Sequence, residues 1–185
     1  MKHQKAIALI EVLVTAGLTS VIALLIANAY ISGIQSWDFN FSRYSASSNL
    51  DNAVNSIAQY ALLASSSADT FNYNGIIYSS DSDTLILQVP SIAASGAVIN
   101  GYFDSLVYDF DSPNKNLKEL IVPDTHSYRN FKDKIIVENV AAVSFAQTET
   151  AKGKMQIINL TINSASLGKT TRYSLSRSIR MRNQL

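Results

Sequence analysis

Hydrophobic positions are distributed unevenly along this chain. After the short basic opening Met1-Lys2-His3-Gln4-Lys5, an apolar run extends from Ala6 to about Trp37. It is broken only by Glu11 and by the uncharged Thr15, Thr19, Ser20, Asn28, Ser32, Gln35 and Ser36. A helix of about 25 such residues exceeds the roughly 30 Å hydrocarbon core of a bilayer, so the run predicts a segment able to span a membrane. Beyond Trp37 the pattern becomes one-sided. Leu50, Val54, Ile57 and Ala61 recur at helical spacing opposite a polar face, which predicts that the same helix continues to about Leu63 with its outer half packed on a globular domain. A helix lying flat on a membrane surface is the rival for this stretch, but Lys and Arg, which such a polar face carries, are nearly absent from it.

From Thr70 the period shortens. Residues 75–78, 84–89, 105–110, 117–122, 134–137 and 140–145 are short runs rich in β-branched and aromatic residues, separated by Asp, Ser, Asn, Gly and Pro. They read as strands. Residues 155–164 and 171–182 read as a closing hairpin joined across residues 165–169. The predicted fold class is α+β: a long N-terminal helix, then an antiparallel sheet with one face covered by the helix's outer half.

Composition narrows the function classes. The 185 residues are 16% charged, against roughly 25% for an average soluble domain, because the apolar content is concentrated at the amino end. A net charge of +1 sets up no global field for nucleic acid. The absence of cysteine excludes disulfides, thiolate metal sites and cysteine nucleophiles. Lys2 and Lys5 precede the apolar run, so the positive-inside rule keeps the amino terminus in the cytoplasm and exports the body.

Glu11 breaks the pattern of a simple anchor. A carboxylate at mid-bilayer costs about 2.5–3.5 kcal/mol on insertion scales, less near an interface, unless it finds a partner. An ordinary secretory signal is excluded too, because its apolar region is shorter and ends in a small-residue cleavage site, whereas here the small Ala6 comes before the run. The opening, with a basic leader, Ala6, Ile7, then Ala8-Leu9-Ile10-Glu11-Val12-Leu13-Val14 and a long hydrophobic helix, resembles the class III prepilin signal shared by type IV pilins and type II secretion pseudopilins. Ala6 stands where that family usually has Gly, and Ile7 where it commonly has Phe or Met. The resemblance implies cleavage between Ala6 and Ile7 by a prepilin peptidase, N-methylation of Ile7, and a role for Glu11 in subunit assembly. The freed amine at Ile7 of one subunit can pair with Glu11 of a neighbour, relieving two desolvation penalties together. The alternative for Glu11 is a side chain that snorkels to the cytoplasmic interface of a plain anchor.

The ending, residues 173–183, looks like the final strand of J-type minor pseudopilins and related minor pilins, as does the strand-rich order before it. The resemblance implies a pilin-like fold and a non-enzymatic minor subunit that primes or caps assembly of a type IV pilus, a type II secretion pseudopilus or a competence pilus. Its partners would be other pilins through the N-terminal helix, the inner-membrane assembly platform and membrane lipid. The implied organisation is a cytoplasmic leader over 1–6, a transmembrane and filament-packing helix over 7–37, its amphipathic continuation over 38–66, and an extracytoplasmic β-rich domain over 67–185. The alternative is a single-pass anchored binding domain that does not polymerise.

Other candidate chemistry is thin. Asp109 and Asp111, with Asn114 and Asn116, crowd oxygen ligands into one loop, and calcium binds in loops of some relatives of the family. The spacing nevertheless departs from the calcium-loop pattern, with Pro113 and no Gly at the sharp turn, so turn residues are the favoured reading there and at Asp81 and Asp83. His126 has no Gly-x-Ser-x-Gly elbow to serve. Arg172, Arg177, Arg180 and Arg182 make a basic final strand with no stacking aromatics beyond Tyr173, so a solvated or subunit-contacting strand is favoured over DNA contact. No Gly-rich phosphate loop is present, and neither a cofactor nor a metal is expected.

Overall fold

The computed structural model describes the backbone of residues 2–150, 153–166 and 169–180, and the side chains of residues 10–147 and 174–179. Helix α1 runs Lys2–Leu63, 62 residues without a break, or about 90 Å at the ordinary helical rise. No proline falls within it, so its hydrogen-bond ladder is nowhere interrupted. Its two halves differ in surroundings. Residues 10–37 are exposed throughout, whereas Ala46, Leu50, Ala53, Val54, Ile57, Ala58 and Ala61, and Ala64 just past the end, are buried. Those positions advance by helical steps along one stripe, as the sequence pattern predicts, and their many alanines let the helix axis approach the sheets closely.

The strands are β1 (Ser66–Ser67), β2 (Thr70–Tyr73), β3 (Ile76–Ser79), β4 (Thr84–Ile92), β5 (Val98–Asp111), β6 (Asn116–Val122), β7 (Lys132–Val137), β8 (Val140–Thr150), β9 (Gly153–Ser166) and β10 (Lys169–Arg180). All pairings are antiparallel, in a five-stranded sheet ordered β1-β4-β5-β6-β7, a three-stranded sheet ordered β10-β9-β8, and a separate β2-β3 hairpin. The α+β layout matches expectation. The single sheet with one covered face does not.

The five-stranded sheet is covered on both faces. Leu85, Leu87, Val89, Leu106, Tyr108, Leu117 and Ile121 join the helix stripe in the main core, while Ile86, Val107 and Leu120 point the other way and meet Phe71, Tyr73 and Tyr78 of the β2-β3 hairpin. Double coverage explains the unbroken apolar run Leu85-Ile86-Leu87, which alternation alone does not require. The hairpin closes on Asn74 and Gly75, both at positive φ (52° and 83°), the two-residue turn whose twist matches flanking strands. The split between sheets falls at Asn139, also left-handed at φ 59°. There the chain turns after β7, Val140 N–H donates to Lys115 O at 2.8 Å, and β8 pairs with β9 instead of extending the first sheet.

The second sheet closes the other side of the helix. Val140, Val143, Phe145, Leu175 and Ile179 belong to the same core as the helix stripe, and the Arg177 guanidinium donates to the Asn55 side-chain oxygen on α1. Phe145 N–H donates to Ser82 O at 2.8 Å, and Ser67 Oγ donates to Gln147 Oε1 at 2.8 Å. The outer half of α1 thus lies between two sheets, and its inner half projects free of both.

Candidate functional site

The exposed inner half of α1 is long and apolar enough to cross a membrane. Glu11 lies on it, exposed, and is the only charged residue between Ala6 and Trp37. Ile7 is four residues before Glu11 and Thr15 four after, so all three share one helix face. The backbone of Ala6 and Ile7 is helical, while their side chains lie outside the described residues. Three of the polar interruptions are absorbed locally. Thr15 Oγ1 donates to Glu11 O, Thr19 Oγ1 to Thr15 O at 2.7 Å and Ser20 Oγ to Ala16 O at 2.8 Å, so these hydroxyls need no partner from outside the helix. Glu11 has a carboxylate, and among the described residues no side chain of the helix donates to it.

The acidic turns are engaged internally. Asp111 accepts from Asn114 N–H at 3.2 Å, Asn114 Nδ2 at 2.9 Å and Lys118 Nζ at 2.8 Å, while Asp109 accepts from Thr84 Oγ1 at 2.9 Å. Asp81 accepts from the N–H groups of Asp83 and Thr84, each at 2.8 Å, and so builds the turn into β4. Among the described residues no three His, Asp or Glu side chains converge as a metal site. His126 Nδ1 lies 2.8 Å from Asp124 Oδ1, and its ring sits against Tyr102 with centroids 4.1 Å apart. Arg182 and the side chains of Arg172 and Arg180 lie outside the described residues, and Arg177 is spent on the helix.

Two buried charges escaped the sequence reading. Asp104 on β5 is 0% exposed and accepts from Ser91 Oγ, Asp124 N–H and Ser127 Oγ, each at 2.9 Å, and from Arg129 Nε at 2.7 Å. Arg129 Nη2 also donates to Pro90 O at 3.2 Å, and its guanidinium lies 5.7 Å from the centre of the Tyr60 ring on α1. One cluster therefore ties the β6-β7 connection to β4, β5 and the helix. The signal for Asp104 was alternation: it shares a face with Leu106 and Tyr108, so a strand assignment carried through Asp104 buries it.

The second is Glu119 on β6, 1% exposed, which accepts from Ser56 Oγ of α1 at 3.1 Å and faces Lys134 Nζ at 3.6 Å. Its Oε1 and the Tyr108 hydroxyl are buried without hydrogen-bond partners. Burial, and then the neighbouring Glu119 carboxylate, push the Tyr108 phenol well above its usual range.

Among the described residues three carboxyls titrate low. Burial alone would raise Asp104, but the hydrogen bonds from Arg129, Asp124 N–H, Ser91 and Ser127 outweigh it and hold it below the usual range. Asp111 is brought down to about 2, chiefly by the Asn114 side chain and Lys118. The backbone and ring of His126 lower Asp124. A carboxyl depressed in the folded state contributes stability that is present above its unfolded value of about 4 and lost as pH falls towards the folded value. The urea midpoint is therefore expected to fall between about pH 4 and pH 2. A midpoint that rose on acidification through that window would contradict these assignments.

Comparison with protein-family models, with curated proteins and with solved structures finds no match.

Proposed function

We propose that the chain is a minor subunit of a type IV pilus, a type II secretion pseudopilus or a competence pilus, similar in role to J-type minor pseudopilins. The observation that carries this reading is Glu11, the only charge on an apolar helix half that touches no part of the globular domain. A plain anchor is easier to insert without it. In the proposed cycle a prepilin peptidase removes the leader between Ala6 and Ile7, and Ile7 is N-methylated. The helix then waits in the inner membrane with the β-rich domain outside. Assembly moves the helix into a bundle of other pilin helices, where Glu11 of one subunit meets the terminal amine of the next. The chain is not an enzyme in this reading. It is the substrate of one, and an assembly platform and an ATPase elsewhere supply the work.

Intact-mass measurement of the membrane-extracted chain, with and without active prepilin peptidase, tests this. Loss of Met1 to Ala6 with one methyl gained is the expected result. An unprocessed chain beside an active peptidase would instead favour a single-pass anchored binding domain that never polymerises.

A further inference from the structure

The exposed half of α1 has a distinct side. Tyr30, Ile34, Trp37, Phe41 and Tyr44 follow one another by steps of four, three, four and three residues. At about 100° per residue they occupy about 80° of the helix surface. All are exposed, Trp37 by 73%, Phe41 by 61% and Tyr44 by 75%. The stripe Leu50, Val54, Ile57 and Ala61 that meets the globular domain is centred about 210° round from them. The aromatic seam therefore faces away from the domain, and no part of the described domain can fold back to cover it.

The seam's height along the helix indicates what covers it. Glu11 and Trp37 are 26 residues apart, about 39 Å of helix, and a bilayer with both headgroup layers is about 40–45 Å thick. With Glu11 at the cytoplasmic headgroups, Trp37 reaches the opposite headgroups, where Trp and Tyr rings are favoured because one edge is apolar and the other wet. Phe41 and Tyr44 come one and two turns later, and a helix leaning towards this face brings them down to the same layer.

Resting on the membrane reading above, we propose that Trp37, Phe41 and Tyr44 form a one-sided anchor on the lipid surface. Seated in the outer headgroups, it fixes the depth and rotation of the waiting helix, so that the globular domain stands on the side away from the bilayer. Phe39, turned about 200° from Trp37, takes no part.

Trp37 is the single tryptophan, so its emission reports this one place. The full chain is reconstituted into phosphatidylcholine vesicles whose acyl chains are brominated either near the headgroup or deep in the tail. The expected result is emission shifted to the blue of free tryptophan, with quenching several-fold stronger from the shallow bromines than from the deep ones. Phe41→Ser with Tyr44→Ser should weaken the shallow quenching, whereas Phe39→Ser should not. If the chain fails to float with the vesicles, the membrane reading falls and the anchor with it. If it floats but Trp37 is quenched by aqueous iodide and not by bromolipid, the anchor alone is overturned. Shielding that depends on protein concentration would likewise overturn it, giving the seam to a second helix.

Discussion

Replacing Arg129 with alanine is expected to destabilise the globular domain by about 3–5 kcal/mol, a large share of the total stability of an ordinary domain. The reason is what the substitution leaves behind. Asp104 is wholly buried, and without Arg129 Nε at 2.7 Å it keeps three donors and no opposite charge. The Pro90 carbonyl loses the Arg129 Nη2 donor at the same moment. Surface salt bridges such as Lys118 with Asp111 are worth far less, since water replaces a lost partner there. Asp104→Asn separates the two contributions, because the neutral amide removes the stranded charge. In the Asp104→Asn background the further cost of Arg129→Ala should fall to about 1 kcal/mol. Equal costs in the two backgrounds, measured by urea unfolding, would mean that the pair is not coupled and that Arg129 acts only through its packing on Tyr60.

The contrast between that cluster and the helix stripe shows which features a chain displays in one dimension. Leu50, Val54, Ile57 and Ala61 were legible because a helix puts its partners three and four residues apart, and burial of the whole stripe follows from that period. Ser91, Asp104, Asp124, Ser127 and Arg129 come from two strands and a connection, and no local period links them. Glu119 was hidden for a different reason. Glu119 shares one face of β6 with Leu117 and Ile121, and Lys118 shares the other with Leu120, so both faces read as apolar and alternation does not say which charge is buried.

Strand existence was similarly more legible than strand extent and partnership. The β2-β3 hairpin carries its own marker in Asn74-Gly75, which pattern reading from residue 75 onward passes over. The first half of β5 was missed because Asn100-Gly101 reads as a turn. In the structure Gly101 is left-handed at φ 84° inside the strand, close to the irregularity between Pro90 and Ser91 on β4, as expected where a bulge bends paired strands. The division into two sheets depends on one left-handed Asn139, and nothing in its neighbours' hydrophobicity announces it.

The largest functional effect is expected at Glu11, where a single substitution should move two measurements in opposite directions. Glu11→Ala removes a carboxylate from the apolar run, so membrane insertion should be unchanged or easier, by up to about 2.5–3.5 kcal/mol if the side chain sits deep. The globular domain, which Glu11 does not touch, should fold as before. If the proposed filament reading holds, incorporation into filaments should nevertheless drop by about a hundredfold or more. The amine of the neighbouring subunit would then be buried without its counter-charge, and breaking such a pair costs about 3–5 kcal/mol at about 1.4 kcal/mol per factor of ten. Recovery of the chain in sheared filaments, set against its recovery in the membrane fraction, reads both directions in one experiment. A snorkelling glutamate on a plain anchor predicts easier insertion and no change in partner association. If Glu11→Ala subunits entered filaments as readily as the unaltered chain, the carboxylate would have no part in assembly, and the filament reading would lose the residue on which it rests.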